Sequence, residues 1–279
     1  MKAPLDAPVR SLGVEELPDC LDLAADRGWQ AEEHKWRLLF GIGEVHGVSA
    51  PDGGLAGAVV TTRYGREVTA IGMMLVAGRF ARQGLGLRLI THALEHAGTA
   101  SAHLTATDGG RPLYERVGFR TIGACTQYVG GFRPALVPPR SRPATSADLP
   151  AIRALDAEAF GAARTALLDR LPSFGSQLRV VDGPDGITGY GGAWRNVDNT
   201  VLGPVIAADD DTAVALLTDL GLAAAGPVRL DLEHRRPALL AWAAGCGLRP
   251  GDTTAVMLRG EPLPGDRERL YTPVMVALG

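Results

Sequence analysis

Three short stretches carry residue types and spacings suited to chemistry. The first is Arg82-Gln83-Gly84-Leu85-Gly86. A strand-like pattern ends near Ala77 and a helical one starts at about Gly84. Free N–H groups at a helix start point outward, and the helix dipole favours negative charge there. Gly84 and Gly86 carry no Cβ, so a diphosphate can approach the backbone. Arg79 and Arg82 add charge-assisted donors. Rival glycine motifs fail: no GxxxxGK followed by Ser or Thr is present. A dinucleotide fingerprint needs a third glycine where Leu89 stands. Alone, the turn reads more readily as plain turn chemistry. The second stretch is Pro112-Leu113-Tyr114-Glu115-Arg116-Val117-Gly118-Phe119. Its phenol can donate a proton, or can simply pack beside Leu113 and Val117. The third, His92-Ala93-Leu94-Glu95-His96, fits an HxxEH pattern. A helix would turn both imidazoles one way, but a metal site needs a third ligand and the spacing indicates none. No metal is expected.

The elements around these stretches follow from periodicity. Val14 to Asp26 and Ala31 to Phe40 read as helices, Leu55 to Tyr64 and Val68 to Ala77 as strands around the Gly65-Arg66 turn. Gly84 to Ala97 is helical, with Leu87, Ile90 and Leu94 on one face. His103 to Ala106 is a strand. Arg111 to Val117 is a short helix stopped by Gly118, and Phe119 to Val129 a strand. The order then recurs. Ser146 to Phe160 and Ala162 to Leu171 are helical, and Leu178 to Asp182, Thr188 to Ala193 and Val201 to Ala207 are strand-like. Asp209 to Ala225 is a helix, Val228 to Leu232 a strand, and Pro237 to Ala244 a helix. Thr253 to Leu258 and Tyr271 to Ala277 close the pattern. Between the copies, Gly130 to Ala144 (GGFRPALVPPRSRPA) reads as a linker. The expected organisation is a domain over 1–129, a linker over 130–144 and a second domain over 145–279.

The glycine turn and the Tyr114 block lie about 30 residues apart, the length of a helix plus a short strand. Together they resemble the GCN5-related N-acetyltransferase (GNAT) superfamily. Its pyrophosphate loop reads Gln/Arg-x-x-Gly-x-Gly/Ala, matched here by Gly84 and Gly86, and its later helix is matched by Tyr114, Gly118 and Phe119. The sequence departs at Ala81, where the loop usually carries Gln or Arg, and at Thr107, where Asn is frequent. Gly28-Trp29 before a helix with Trp36, and Asp156-x-x-x-Phe160-Gly161-x-x-Arg164, resemble a bacterial two-domain subgroup. The resemblance implies an α/β chain of tandem GNAT folds, each a central mixed, mostly antiparallel sheet flanked by helices. It implies acetyl-CoA as co-substrate, held by Leu75, Val76, Arg82, Gln83, Gly84, Leu85, Gly86, Leu87 and Thr107, with Tyr114 as the general acid. The expected reaction moves acetyl to a primary amine, expected to belong to a small molecule. The other reading is a catalytically silent acyl-CoA-binding or regulatory module. Trp29 and Trp194 are candidate substrate contacts, with His234 and Tyr271 as further wall candidates. A general base is not assigned; Glu44, His46 and a water chain are open.

The second copy places Asp209, Asp210 and Asp211 where the first has its glycine turn. They suit a helix start but repel a diphosphate, so only the first copy is expected to bind the cofactor. The second is expected to wall the acceptor pocket. Bulk composition narrows the classes further. A net charge of −3 gives no footprint for sequence-independent nucleic-acid binding. Leu239 to Leu248, the most apolar run, is too short for a bilayer. Cys20, Cys125 and Cys246 form no CxxC pair and fit no closed disulfide framework. Met1 to Arg10 has no apolar leader core. A cytoplasmic protein without membrane or nucleic-acid partners is expected, with an oligomer compatible.

Overall fold

The computed structural model describes residues 6–279. Half of the segment read as lacking an apolar leader, residues 1–5, lies outside the described residues. In chain order the first half contains β1 (Arg10–Ser11), α1 (Leu17–Asp26), α2 (Glu33–Ile42), β2 (Glu44–Ser49), β3 (Leu55–Tyr64), β4 (Val68–Val76), α3 (Leu85–Ala97), β5 (Ser101–Ala106), α4 (Arg111–Arg116) and β6 (Arg120–Gly130). The second half contains β7 (Arg142–Pro143), α5 (Leu149–Phe160), α6 (Thr165–Leu168), α7 (Leu171–Phe174), β8 (Gln177–Gly183), β9 (Gly186–Arg195) and β10 (Thr200–Ala207). It continues with α8 (Asp210–Leu222), β11 (Val228–Glu233), α9 (Pro237–Gly245), β12 (Arg249–Gly260) and β13 (Leu270–Thr272).

Local sequence explains most of these elements. Along α3, Leu85, Leu89, Ile90, Ala93 and Ala97 are buried on one face, the 3.6-residue period of a helix lying on a sheet. Left-handed glycines close both ends: Gly84 at φ 85° and Gly98 at φ 61°. The β3 run Leu55–Tyr64 is buried at all positions but Arg63, because helices cover both faces of the sheet.

Four expectations are corrected. Glu44–Ser49 is a strand; its central Gly47 hides it from the alternation rule. The single helix expected over Ala162 to Leu171 is two short ones, with Pro172 inside the first turn of the second. The penultimate strand runs from Arg249 to Gly260, longer than the apolar alternation over Thr253 to Leu258 shows. The closing strand stops at Thr272, because Pro273 lacks the N–H a ladder needs. Residues 273–279 continue as an irregular tail.

Both halves share one mixed, mostly antiparallel sheet, ordered β1-β2-β3-β4-β5-β12-β6-β11-β10-β9-β8-β7, with β13 on β10. Its centre interleaves the halves. Second-half β12 lies between first-half β5 (Ala255↔Ala106 to Gly260↔Ser101) and β6 (Leu258↔Arg120 to Arg249↔Val129). First-half β6 then pairs second-half β11. The inserted strand satisfies backbone donors and acceptors on both neighbours, which would otherwise be open edges.

Three apolar clusters fill the layers. One lies under α3 and includes Val59, Ile71, Leu89, Leu104 and Met257. Another lies under α8, around Leu202, Leu216 and Leu230. The third joins the halves, packing Trp36, Leu39 and Met73 against Phe160, Trp194 and Leu278. The stretch read as a linker is tied to the second half. Asp219 accepts from the Arg140 and Ser141 backbone N–H groups at 3.1 and 2.8 Å, and Phe132 lies against Trp242.

Candidate active site

The site grows from a split in the sheet. Strands β4 and β5 run parallel and pair only over Val68↔Ser101, Thr69↔Ala102 and Ala70↔His103. Beyond Ala70 they diverge. The cause lies in β4: Met73 takes φ 48°, and the register with β3 shifts between Ala58 and Val60. This is a bulge, which bends a strand and re-aims the residues beyond it. Ala77 donates to Ala56 O at 2.9 Å, and Leu75 shares that register opposite Ala58. Strand alternation therefore turns Leu75 N–H towards β3 and Val76 N–H into the cleft. Of these two expected cofactor-binding residues, Val76 is the one whose N–H is geometrically free.

One end of the cleft meets the glycine turn. Arg82 (φ 60°) and Gly84 (φ 85°) are left-handed, which folds the chain sharply into α3. The helix starts at Leu85 without a side-chain cap, so the N–H groups of the first turn, through Leu87, remain donors for an outside acceptor. A Cβ on Gly86 would stand 3.1 Å from Leu113 Cδ2, so glycine keeps this wall open. Gln83 is tied back by its amide to Arg79 O at 3.0 Å, and Arg82 is exposed. Arg79 is paired with Asp52 at 2.9 Å.

The other end of the cleft opens on a cavity of about 140 Å³ lined by Trp29, Lys35, Ile71, Gly72, Met73, Met74, Thr105, Thr107, Gly110, Tyr114, Val276 and Ala277. Tyr114 is held by α4, whose start is stiffened by Pro112 and whose end closes at Gly118 (φ 91°). Its ring meets Phe119 edge-on at 6.0 Å. Burial pushes the Tyr114 hydroxyl up to about 12, so it stays protonated at neutral pH and available as a donor. Thr107 accepts from Gly110 N–H at 3.3 Å. Trp29 stands at the mouth, 40% exposed.

Of the twelve lining residues, sequence reading assigned a role to Trp29, Thr107 and Tyr114 and missed the other nine, among them Lys35, Val276 and Ala277. Lys35 carries no motif, and Val276 and Ala277 lie far along the chain. Trp194 is corrected from a wall residue to an anchor. It is buried and donates from its indole to Val274 O at 2.8 Å. His234 contacts Thr126 Oγ1 at 2.7 Å, away from the cavity. Glu44 pairs with Arg63, and His46 turns towards α3; neither lines the cavity.

The HxxEH pair has a third neighbour after all. His46 lies 4.6 Å from His92 and 5.8 Å from His96 between ring centroids, and His92 and His96 are 4.0 Å apart. Burial, then the other imidazoles, lowers the His92 pKa; burial likewise lowers that of His46. As arranged, no group of three His, Cys, Asp or Glu among the described residues is set to hold a metal ion.

The second half repeats the split and fills it. Strands β10 and β11 pair in parallel only at Thr200↔Val228 and Val201↔Arg229, with a register shift after Leu202. Strand β13 then docks on β10, with Val205↔Thr272 and Ile206↔Leu270. At the helix start, Asp209 accepts from Thr212 N at 2.7 Å. Tyr271 donates to Asp210 at 2.7 Å beneath the Arg236 guanidinium. The place matching the first cleft is taken by the chain itself.

Comparison with known proteins agrees with this geometry. Two family models, each described as an acetyltransferase (GNAT) domain, match residues 31–133 and 152–272. The chain belongs to the GNAT superfamily, with one such domain in each half. It is 28% identical over 271 residues to the uncharacterized N-acetyltransferase YitH of Bacillus subtilis (strain 168), covering 95% of this chain and 96% of that one. A Pyrococcus horikoshii structure provisionally described as an acetyltransferase superposes with a TM-score of 0.87 at 16% identity, over 100% of this chain and 98% of that one. A tandem GNAT protein from the clavulanic acid biosynthesis pathway gives 0.65 at 15% identity, over 92% and 99%. No helix among the described residues is long and apolar enough to cross a membrane. Cys20, Cys125 and Cys246 are buried and unpaired.

Proposed function

We propose that the chain transfers acetyl from acetyl-CoA to the primary amine of a small molecule, at the cleft between β4 and β5. The observation that carries this reading is the continuity of that cleft. It runs from a helix-start glycine turn, past a free strand N–H, to a buried protonated tyrosine beside a cavity. Acetyl-CoA supplies an activated acetyl thioester. The N–H groups from Gly84 to Leu87 hold its diphosphate, and Arg82 and Gln83 border that turn. Thr107 stands at the far side of the cleft. The open wall at Gly86 is what such a bulky group requires.

The amine nitrogen attacks the acetyl carbonyl, and a C–N bond forms. Val76 N–H faces the cleft and stabilises the oxyanion that develops. The C–S bond then breaks, and Tyr114 protonates the departing sulfur. The amine's surplus proton leaves to water, because no carboxylate or imidazole lines the cavity among the described residues, and water returns a proton to the Tyr114 phenolate. The acceptor therefore reacts from its neutral form. The second half holds no cofactor in this reading, since β13 and the Asp209–Asp211 caps fill its cleft.

Tyr114→Phe tests the assignment. Free thiol release from acetyl-CoA with a competent amine should fall about 100-fold in kcat, the low end of general-acid contributions. Affinity for coenzyme A by calorimetry should hold. Full turnover in the variant would remove the acid role. Coenzyme A binding without thiol release from any amine would instead favour a silent acyl-CoA-binding module.

A further inference from the structure

The cavity beside Tyr114 is closed by a segment from the opposite end of the chain. After β13 fills the second-half cleft, residues 273–279 cross to the first half. Three side chains pin the crossing. Trp194 donates to Val274 O at 2.8 Å, Tyr64 to Leu278 O at 3.2 Å, and Arg164 to Gly279 O at 3.2 Å. Both halves therefore hold the tail, and Leu278 N–H returns to Met275 O at 3.0 Å in a turn. That turn presents Val276 and Ala277 to the cavity. The contact is close: a Cβ on Gly72 would sit 2.7 Å from Ala277 Cβ. Gly72 belongs to the bulged part of β4, so the tail meets the strand where acetyl transfer is proposed.

Size and charge of this partly open space restrict what enters. About 140 Å³ is close to the volume of a cavity that holds one benzene ring. The walls beyond Tyr114 are Trp29, Ile71, Met73, Val276 and Ala277, mostly apolar. Among the lining residues Lys35 is the one with a formal charge, and its ammonium pairs with Glu32, which also accepts from Asn196 at 2.8 Å. Glu32 is thus already committed. A second ammonium on the acceptor would meet no counter-charge and would face Lys35 across a low-dielectric space.

We propose that Val274–Gly279 is the acceptor-specificity element, and that it selects a primary amine bearing one ring-sized apolar group and no second charge. The proposal rests on the acetyl-transfer reading for its chemistry, but its binding arm does not. The probes are phenethylamine and cadaverine. With wild-type protein and acetyl-CoA, kcat/KM for phenethylamine should exceed that for cadaverine at least about tenfold. Val276→Asp places a carboxylate on the wall and should move that ratio towards cadaverine about tenfold, with KM for acetyl-CoA unchanged. Val276→Ala, which widens the wall, should lower the phenethylamine preference over a smaller amine such as ethylamine, read as a change in the KM ratio for the two acceptors.

Equilibrium binding of each amine to the coenzyme A-loaded protein, followed by calorimetry, gives the same comparison without turnover. Preference for cadaverine in wild type, or a ratio unmoved by Val276→Asp, overturns the specificity role. Selective phenethylamine binding without thiol release sustains that role and rejects the acetyl-transfer reading, so the two failures separate.

Discussion

Replacing Asp156 by Asn removes one charge from the most deeply buried ion pair of the molecule's described residues. Asp156 and Arg164 side chains are both 0% exposed. Arg164 donates Nε to Oδ1 at 2.9 Å and Nη2 to Oδ2 at 2.6 Å, while the Tyr190 hydroxyl also donates to Oδ2. The guanidinium lies 4.3 Å over the Phe160 ring. Asparagine keeps the shape and leaves the cation without its counter-charge. Removing one partner of such a pair costs about 3–5 kcal/mol, chiefly the penalty for an uncompensated buried charge. A chain of 279 residues has an unfolding entropy of about 0.6 kcal/mol/K, so the melting midpoint should fall by roughly 5–9 °C. The charge-free pair Asp156→Leu with Arg164→Met, combined with Tyr190→Phe so that no buried hydroxyl is stranded, should recover part of that loss, because apolar replacement of a whole buried pair is often neutral. Urea titration and thermal melts of wild type, the single variants and the combined variant give the coupling. A single-variant cost under about 1 kcal/mol, or a combined variant no more stable than Asp156→Asn, would refute the reasoning. Because Arg164 also holds Gly279 O, Asp156→Asn should raise the acceptor KM before it changes coenzyme A affinity.

Three further outcomes rest on particular groups. His103 is fully enclosed, and burial, then Arg267 and Arg164, lowers its pKa to about 3. The unfolded chain takes up that proton near 6.5, so stability should fall as pH drops from about 7 towards 3, reaching on the order of 4–5 kcal/mol. Urea midpoints at pH 7 and 4.5 should show a loss smaller by about 2–3 kcal/mol in His103→Gln, and an equal loss would count against it. The pH profile of kcat/KM for a simple alkylamine should rise with unit slope up to the amine's own pKa; a plateau setting in near pH 7 would reveal an enzyme base. Gly86→Val should weaken coenzyme A binding at least about tenfold by calorimetry while the melting midpoint moves little, since its side chain would grow into the cleft beside Leu113.

The chemistry of the first half was legible because its signals are local. Gly84, Gly86, Tyr114 and Gly118 lie within single turns and short helices, where conformation is dictated by neighbours in sequence. The acidic counterpart at Asp209–Asp211 was legible for the same reason, and the structure adds a second obstacle, β13, that no local pattern announces. Lys35 was illegible: its place at the cavity depends on how α2 packs, not on its surroundings in sequence. Trp194 was misread because a large aromatic in a second copy suits a pocket wall and a buried anchor equally. His46 joins His92 and His96 only through the contact of β2 with α3.

What the sequence by itself determined is most of the longer elements, their duplicated order, the family and the turn at Arg82 to Gly86. These depend on periodicity and glycine placement over a few residues, so they survive without knowledge of the fold. Only the tertiary structure decided that β12 enters the first-half sheet, that β13 closes the second cleft, and that residues 273–279 return to the cavity beside Tyr114. Strand partners are chosen by which open edges and apolar faces remain to be covered once the chain collapses. That choice is made between segments as much as 214 residues apart, as Tyr64 and Leu278 are, and no window along the sequence contains both.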